Sequence, residues 1–264
     1  MPLYHASASD GVAWITGASE GIGKALALRL ALEGYTVYAS ARSQDKLAAL
    51  AAKTTGTGRI VPLPLDVTDR AANARAVQTI LAAGAPLVLA IFNAGNFFPV
   101  RGFALNHQAF DQSLAINFSG AVNGLIPAIA AMQAGGRGQV VLVSSSAGYG
   151  GLPKSAAYGA SKAALINLAA SLKFDLDAMN IRIQIVTPGF VETPLTSKND
   201  FPMPFLMPVD KAAQAFASGL KSNAFDITFP RRFTFFLKAL NLLPYALYFR
   251  AIAGMTGASR KRSG

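Results

Sequence analysis

Short apolar runs alternate with amphipathic stretches along most of the chain. The apolar runs predict seven strands, over residues 12–16, 36–40, 60–64, 87–92, 139–144, 182–187 and 226–229. Between them, apolar positions spaced for one helix face predict helices near 22–33, 43–53, 69–83, 105–133 and 156–179. Strands that are apolar throughout and alternate with helices are typical of a parallel sheet covered on both faces. The pattern therefore predicts an α/β protein with one domain over residues 1–230, including an irregular segment at 190–209.

The composition fits a protein of a reducing compartment. The 264 residues are 52% hydrophobic, enough for a sizeable core, and include no cysteine, which excludes disulfides and thiol chemistry. The N-terminal residues lack the basic and apolar regions of a signal peptide. No uncharged apolar run reaches the ~18 residues that a membrane span needs. We expect a cytoplasmic protein.

The basic charge is concentrated at the C-terminal end. The formal net charge is +11, and the segment after Pro230 supplies +7 of it without any acidic residue. The basic residues there are Arg231, Arg232, Lys238, Arg250, Arg260, Lys261 and Arg262. Since the body of the chain is only mildly basic, we expect no nucleic-acid-binding face across it.

Residues 231–264 are predicted to form a helical extension. Phe233, Phe236, Leu237 and Leu240 have the i, i+3, i+4, i+7 spacing of one helix face, and Pro244 is expected to interrupt the helix before a second apolar stretch at 245–252. One interpretation is a flap that packs on the domain or on another subunit and roofs a pocket. The other is an anchor at the inner face of a membrane, with aromatic residues inserted and basic residues at anionic headgroups.

A glycine-rich loop follows the first strand directly. The stretch "TGASEGIG" at 16–23 places Gly17, Gly21 and Gly23 with Ile22 between the last two, just before a predicted helix. Glycines let the backbone turn sharply and approach a ligand, and a helix N-terminus offers N–H groups to a pyrophosphate. The alternative is a tight turn without a ligand. The strand–loop–helix context favours a dinucleotide-binding site.

The end of the second strand predicts which dinucleotide is bound. An NAD site usually has an acidic residue there, whereas Ser40 and Ala41 occupy the position here and Arg42 follows. An arginine accommodates a 2′-phosphate, so NADP is expected rather than NAD, with a hydroxyl contact from Ser19. Glu20 argues in the opposite direction because it repels phosphate. Arg42 as an ordinary solvated arginine remains the alternative.

The stretch "YGASK" places Tyr158 and Lys162 four positions apart, on one face of a predicted helix. A phenol normally keeps its proton until pH about 10, but a neighbouring ammonium group favours the phenolate. Hydride transfer to a carbonyl carbon builds negative charge on oxygen, and a tyrosine can supply the proton it then needs. The pair therefore fits carbonyl reduction or alcohol oxidation.

Further motifs stand in order along the chain. They are "NAG" at 93–95, Asn117 in the long helix, "SSSAG" with Ser145 thirteen residues before Tyr158, and "PGFVET" at 188–193. Together with the glycine loop they resemble the single-domain short-chain dehydrogenases/reductases. The resemblance covers residues 12 to about 194. It implies a Rossmann-type, doubly wound, seven-stranded parallel sheet, and a homodimer or homotetramer packed through the two long helices.

The resemblance implies a role for each matching residue. Tyr158 would be the acid/base, Ser145 would bind the substrate oxygen, and Lys162 would orient the nicotinamide ribose and lower the tyrosine pKa. Asn117 would hold a water that links Lys162 to solvent. The remaining cofactor contacts would come from Thr193 at the carboxamide, Asp66 at the adenine and Asn93 beneath the cofactor.

These observations predict an NADP-dependent oxidoreductase that interconverts a secondary alcohol and a ketone or aldehyde. The Tyr-x-x-x-Lys spacing differs from the longer one of the family's enoyl reductases. The alternative function is a non-catalytic NADP-binding sensor or scaffold. A metal site and a Ser–His–Asp hydrolase are not expected, because His5 and His107 are isolated.

An apolar, lipid-like substrate is expected, covered by the segment 195–208. Five residues follow the strand ends where a pocket would open. These residues are Phe97, Phe98, Tyr149, Leu152 and Phe190. They would either line that pocket or serve as packing residues.

Overall fold

Seven parallel strands form one sheet. The computed structural model describes residues 3–197 and 203–257. Its strands are β1 Val12–Thr16, β2 Thr36–Ser40, β3 Arg59–Pro62, β4 Leu87–Phe92, β5 Gly138–Val143, β6 Ile181–Pro188 and β7 Asp226–Phe229. They lie in the order β3-β2-β1-β4-β5-β6-β7, and every neighbouring pair is parallel. The predicted Rossmann-type doubly wound sheet is confirmed.

Helices cover both faces of the sheet. They are α1 Gly21–Leu32, α2 Gln44–Ala51, α3 Arg70–Ala82, α4 His107–Leu114, α5 Gly120–Ala134, α6 Ala156–Ala178, α7 Val209–Leu220, α8 Arg231–Leu240 and α9 Tyr245–Thr256. Side chains cap several of them, as in α3, where the Asp69 carboxylate accepts a hydrogen bond from the N–H of Ala72 at 2.9 Å.

The sheet separates two apolar cores. Ala13 and Ile15 of β1 face a core shared with α1, α2 and α7, whereas Val12 and Trp14 face a core shared with α3, α5 and α6. Trp14 packs edge-on against Phe92, and its indole N–H donates to the Ser40 hydroxyl at 2.9 Å. Because both faces of β1 are buried, its sequence is apolar without alternation.

The strand order places a crevice at one edge of the sheet. After β3 the chain crosses back to the other side of β1, so β1 has β2 on one side and β4 on the other. The loops after β1 and β4 diverge there, and a ligand binds outside the carboxyl ends of strands at such a point. The glycine loop and "NAG" follow these two strands.

The long helical stretch His107–Ala134 is the one part of the described chain that is long and apolar enough to cross a membrane by length and composition. The sequence prediction that no run could do so was therefore too strict. In the structure the α5 part packs on the sheet and buries Ala121, Leu125, Ala128 and Met132 in the core shared with β1 and β4.

The C-terminal helices α8 and α9 pack on the rest of the molecule. Phe233, Leu237 and Leu240 of α8 form a buried cluster with Tyr248 and Ile252 of α9, against the partly buried side chains of Tyr149, Leu152 and Phe190. Phe236 was predicted to share this face but is 46% exposed. Its place on the inner face is taken by Thr234, which is fully buried.

A polar network fastens α8 to the sheet. The Asp226 carboxylate of β7 accepts hydrogen bonds from the ammonium group of Lys238 and the hydroxyl groups of Thr187 and Tyr149.

We expect Asp226→Asn to lower the free energy of unfolding by about 1–3 kcal/mol, because the amide keeps the volume but removes the charge these donors bind. Urea denaturation measures the change. Exposed Asp111→Asn is the control, and equal stability of the two variants would contradict the prediction.

Candidate active site

The glycine loop has a conformation that requires glycine. Gly17 and Gly21 have φ values of +67° and +54°, in the left-handed region. A Cβ atom at Gly23 would lie 2.3 Å from the carbonyl oxygen of Gly17 and 2.4 Å from the Asn93 side-chain nitrogen. The loop leads into the N-terminus of α1, whose first N–H groups have no intrahelical partner. This cradle fits the pyrophosphate of a dinucleotide.

Asn93 ties the loop to the end of β4. Its side-chain nitrogen donates to the carbonyl oxygens of Thr16 at 3.1 Å and Gly17 at 3.0 Å. Its own N–H and that of Ala94 donate to the Thr16 hydroxyl. Asn93 therefore holds the glycine loop against the end of β4.

A cavity of about 730 Å³ runs from the glycine loop to the helix α6. Its lining includes all but two of the residues expected from the sequence: Gly17, Ser19, Gly21, Ile22, Arg42, Asp66, Asn93, Ser145, Tyr158, Lys162 and Thr193. The two that do not line it are Gly23, which lies against Gly17 and Asn93, and Asn117, which is hydrogen-bonded to Asn96. The volume is in the range of small-molecule and cofactor sites.

One end of the cavity is polar and charged. Arg42, Ser43 and Lys46 line it, and the Lys46 ammonium group pairs with the carboxylate of Glu20 from the glycine loop. Hydrogen bonds from the N–H and hydroxyl of Thr68 lower the pKa of Asp66, and Arg42 lowers it further. The sequence analysis did not identify Lys46. The available signal was its position as the third residue of α2, four residues after Arg42.

The other end holds Ser145, Tyr158 and Lys162. Ser145 follows β5, and Tyr158 and Lys162 lie one turn apart on α6. The Lys162 ammonium group donates to the Val143 carbonyl at 2.8 Å and lies 5.7 Å from the centre of the Tyr158 ring. Lys162 is only 3% exposed, and this burial lowers its pKa to about 8.

The pKa of Tyr158 is raised, because burial disfavours the phenolate more than the hydrogen bond with Ser145 favours it. Lys162 was expected to lower the pKa of Tyr158, but the net effect of its surroundings in the structure is to raise it. The phenol is held in its protonated form.

Asn117 reaches the site from a π-helical turn. The residues Ala115–Ser119 form this turn between α4 and α5. The Asn117 side chain accepts from the N–H of Asn96 at 2.7 Å and donates to the Asn96 carbonyl and the Ser161 hydroxyl, each at 3.0 Å. A Cβ atom at Gly95 would lie 3.2 Å from the Lys162 nitrogen and 3.3 Å from the Asn117 oxygen. Asn117 and Lys162 therefore flank Gly95.

Thr193 lies against the glycine loop at the edge of the cavity. A Cβ atom at Gly21 would come within 3.1 Å of the Thr193 methyl group. Hydrogen bonds with Thr196 hold Thr193, whose N–H donates to the Thr196 hydroxyl at 3.0 Å. The loop after β6 thus closes one side of the cavity.

Most of the five candidate pocket residues have packing roles. Tyr149, Leu152 and Phe190 pack under α8 and α9, and Phe98 packs with Val100, Ala109 and Ala157. Phe97 differs, since its ring meets the Tyr158 ring edge-on with 5.3 Å between centres. Of the segment expected to cover the substrate, residues 198–202 lie outside the described part of the chain.

A family model for short chain dehydrogenases matches residues 11–202. The chain belongs to the short-chain dehydrogenase/reductase family. It is therefore an NAD(P)-dependent oxidoreductase that acts on CH–OH groups, as the sequence predicted. The match includes the glycine loop, Asn117, Ser145, Tyr158, Lys162 and Thr193.

Relatives of this short-chain dehydrogenase/reductase cover most of its length. A protein of Myxococcus xanthus described as an uncharacterized oxidoreductase is 35% identical over 237 residues, covering 89% of this chain and 94% of its own. The 3-oxoacyl-(acyl-carrier-protein) reductase of Thermotoga maritima is 34% identical over 188 residues, covering 71% and 76%. A short chain dehydrogenase from Burkholderia cenocepacia, solved in complex with NADP, has 25% identity and a TM-score of 0.80, covering 93% and 98%.

Proposed function

We propose that this chain is an NADP-dependent oxidoreductase that interconverts an apolar ketone and its secondary alcohol. The observation that carries the proposal is the convergence of Ser145, Tyr158 and Lys162 on a cavity that the glycine loop also lines. Bound NADPH supplies the hydride that reaches the carbonyl carbon. The side chains of the chain bind the carbonyl oxygen, supply its proton and orient both reactants.

Tyr158 and Ser145 are proposed to act on the carbonyl oxygen. Both hydroxyl groups line the same end of the cavity, so both can donate to one oxygen atom and stabilise the negative charge that develops on it. Tyr158 then gives its proton to that oxygen. Because burial raises the pKa of Tyr158, the phenol carries this proton at neutral pH.

Lys162 and Asn117 are proposed to restore that proton and to orient the cofactor. The buried ammonium group of Lys162 lies beside Tyr158 at the cavity, where it would bind ribose hydroxyl groups. Asn117, on the other side of Gly95 from Lys162, would hold a water molecule between Lys162 and solvent. Thr193 would bind the carboxamide, and Asp66 the adenine.

A preference for NADP over NAD is supported by the charges around Arg42. Arg42 and Lys46 both line the end of the cavity where β2 ends, and Ser43 adds a hydroxyl group. The sequence analysis counted Glu20 against phosphate binding, but its carboxylate forms an ion pair with Lys46. Lys46 thus offsets Glu20, while Arg42 lies near the Asp66 carboxylate and lines the cavity at the end of β2, where a guanidinium group can bind a 2′-phosphate.

Arg42→Asp is expected to weaken NADPH binding by at least ~30-fold, since a charge-assisted hydrogen bond of about 2 kcal/mol becomes a repulsion. NADH binding should change by less than about threefold, because NADH has no 2′-phosphate at that position. Fluorescence titration measures both dissociation constants. Exposed Lys53→Asp is the charge-matched control. A wild-type protein that binds NADH as tightly as NADPH would contradict the proposal.

The substrate class rests on the relatives and on the cavity. The names of the Thermotoga reductase and of a trans-4-hydroxycyclohexanecarboxylate dehydrogenase of Sinomonas cyclohexanicum, 34% identical over 196 residues, describe ketone–alcohol chemistry. Phe97 beside Tyr158 favours an apolar group next to the carbonyl. The test is a panel of long-chain, steroid-like and small polar carbonyl compounds with NADPH and NADH. Tight NADPH binding without turnover of any of them would favour the sensor or scaffold.

The proposed assembly is a homodimer or homotetramer, in the cytoplasm. Each of the two long helices α5 and α6 exposes a large apolar side chain, Ile126 at 66% and Phe174 at 83%. Burial of such side chains against a second copy would stabilise an oligomer. We also propose that residues 1–230 form the catalytic domain and that 231–264 extend it, with the α8–α9 pair as one wall of the substrate entrance.

A further inference from the structure

The helices α8 and α9 form a pair with two different faces, called here the C-terminal hairpin, residues 231–256. Its inner face is satisfied by packing on the domain. Phe233 contacts Phe190 with 5.5 Å between ring centres, and the Tyr248 hydroxyl donates to the carbonyl oxygen of Gly151 at 2.9 Å. The hairpin is therefore held in a fixed position next to the loops that carry Ser145 and Thr193.

The outer face of the hairpin is apolar and exposed. The turn between the helices presents Leu242 at 86% exposure and Tyr245 at 79%. Further exposed side chains continue from it along both helices: Phe235, Phe236, Leu243, Leu247, Phe249 and Met255. Eight large apolar side chains within 21 residues exceed the scattered exposure that is normal for a protein surface.

The same outer face is basic. Arg231 and Arg232 at the start of α8 and Arg250 in α9 are exposed, and no acidic residue occurs from Arg231 to the C-terminus. On α8, Arg231, Arg232, Phe235 and Phe236 fall within about 140° of one another at 100° per residue. The cation nearest the domain, Lys238, is instead paired with Asp226. The arginines thus border the apolar residues on the side away from the domain.

We propose that the outer face of the C-terminal hairpin docks this protein onto an anionic lipid bilayer. The turn around Leu242 and the aromatic residues beside it enter the headgroup region, and the arginines bind anionic headgroups. A second copy is the less suitable occupant. A two-fold contact through this face would place arginine against arginine, with no carboxylate after residue 230 to compensate.

Docking in this orientation has a consequence for substrate entry, which rests on the proposed function. The hairpin contacts the loop between Ser145 and Tyr158 at Gly150 and Gly151. It also contacts Phe190, which follows the cavity-lining Pro188 and Gly189. An apolar ketone dissolved in the bilayer would then reach the cavity along the hairpin rather than through bulk water.

The test is flotation of the full-length protein with vesicles of phosphatidylcholine alone and of phosphatidylcholine with 30% phosphatidylglycerol. We expect flotation with the anionic vesicles at low salt, little with the neutral ones, and release by ~0.5 M salt because the attraction is screened. The triple variant Arg231→Glu/Arg232→Glu/Arg250→Glu should lower the partition coefficient at least ~100-fold. The pair Leu242→Ser/Phe249→Ser should lower it at least ~10-fold.

Matched controls separate this surface from the rest of the molecule. Lys53→Glu/Arg70→Glu/Lys211→Glu makes the same charge change at exposed positions elsewhere, and Leu32→Ser/Leu81→Ser removes two exposed leucines from other helices. Both controls should float like wild type. Circular dichroism and NADPH titration verify that all variants are folded, so a loss of flotation is not a loss of structure.

Three results of the flotation experiment would overturn the proposal. They are absence of flotation with both kinds of vesicle, equal loss in the charge-reversed control and the hairpin variant, and binding that does not respond to salt or anionic lipid. If the hairpin variants instead float like wild type but have a different sedimentation coefficient, the face is a subunit interface and the proposal is wrong. None of these outcomes depends on turnover, so the proposed reaction is tested separately.

Discussion

Tyr158→Phe is expected to lower kcat by about three orders of magnitude, with NADPH binding changed by less than about threefold. The substitution removes one oxygen atom and leaves the ring, so the edge-on contact with Phe97 is kept. What is lost is the proton donor at the carbonyl oxygen and one of the two hydroxyl groups that stabilise its developing charge. The effect should therefore appear in the chemical step and not in cofactor affinity.

Single-turnover oxidation of NADPH in the presence of a ketone substrate measures this step directly. Tyr245→Phe is the matched control, since Tyr245 is 79% exposed on the hairpin and lies outside the cavity. The control should react at the wild-type rate. Turnover of Tyr158→Phe within tenfold of wild type would remove Tyr158 from its proposed role.

Lys162→Met is expected to lower kcat/KM by about 10²–10³ and at the same time to stabilise the fold. Methionine matches the length of the lysine side chain but carries no charge into the buried site. Burial lowers the pKa of Lys162 from 10.5 to about 8, so keeping its charge in the folded wild type costs about 3 kcal/mol, a cost that the variant avoids. The variant also loses the hydrogen bond to the Val143 carbonyl, which destabilises it by about 1 kcal/mol. The net gain at pH 7 should be about 2 kcal/mol.

The pH dependence of this gain has a definite sign. Burial lowers the pKa of Lys162 from 10.5 to about 8 in the folded state, so between these values the unfolded state binds the extra proton. The free energy of unfolding of the wild type therefore rises with pH across this window, and the difference between it and that of the variant shrinks. Denaturation of both proteins at pH 7 and pH 9.5, without added cofactor, measures it. A stability difference between variant and wild type that widens with pH would contradict the account, as would a variant less stable than wild type at pH 7. The control is exposed Lys53→Met, which should change neither the free energy of unfolding nor kcat/KM.

The strands were predictable because their burial leaves little freedom in sequence. β1, β2, β4 and β7 have the predicted bounds, and β3, β5 and β6 differ by one or two residues at their ends. Strands in the middle of a covered parallel sheet are apolar on both faces, and glycine or polar residues end them sharply. For the same reason the glycine loop and the residues after β4, β5 and β6 could be assigned to one edge of the sheet.

The parts that were not predictable depend on side-chain contacts between distant segments. A continuous helix was predicted over 105–133, but a π-helical turn interrupts it and turns Asn117 towards Asn96 and Ser161. Glu20 was interpreted as unfavourable for a phosphate, since its partner Lys46 lies 26 residues away. Phe236 was assigned to the inner face of α8, because spacing alone does not show which side of a helix with apolar residues on both sides meets the domain.

The central claim is that Tyr158 protonates a carbonyl oxygen while NADPH reduces the adjacent carbon, and isotope transfer tests it most directly. Full-length protein is incubated with an apolar ketone and NADPH deuterated at nicotinamide C4, using each of the two C4 epimers in turn. The account predicts that one epimer delivers one deuterium atom to the carbinol carbon of the product for each NADPH oxidised, and that Tyr158→Phe suppresses this transfer about a thousandfold. NADPH oxidation without deuterium in the alcohol, or undiminished transfer by Tyr158→Phe, would contradict it.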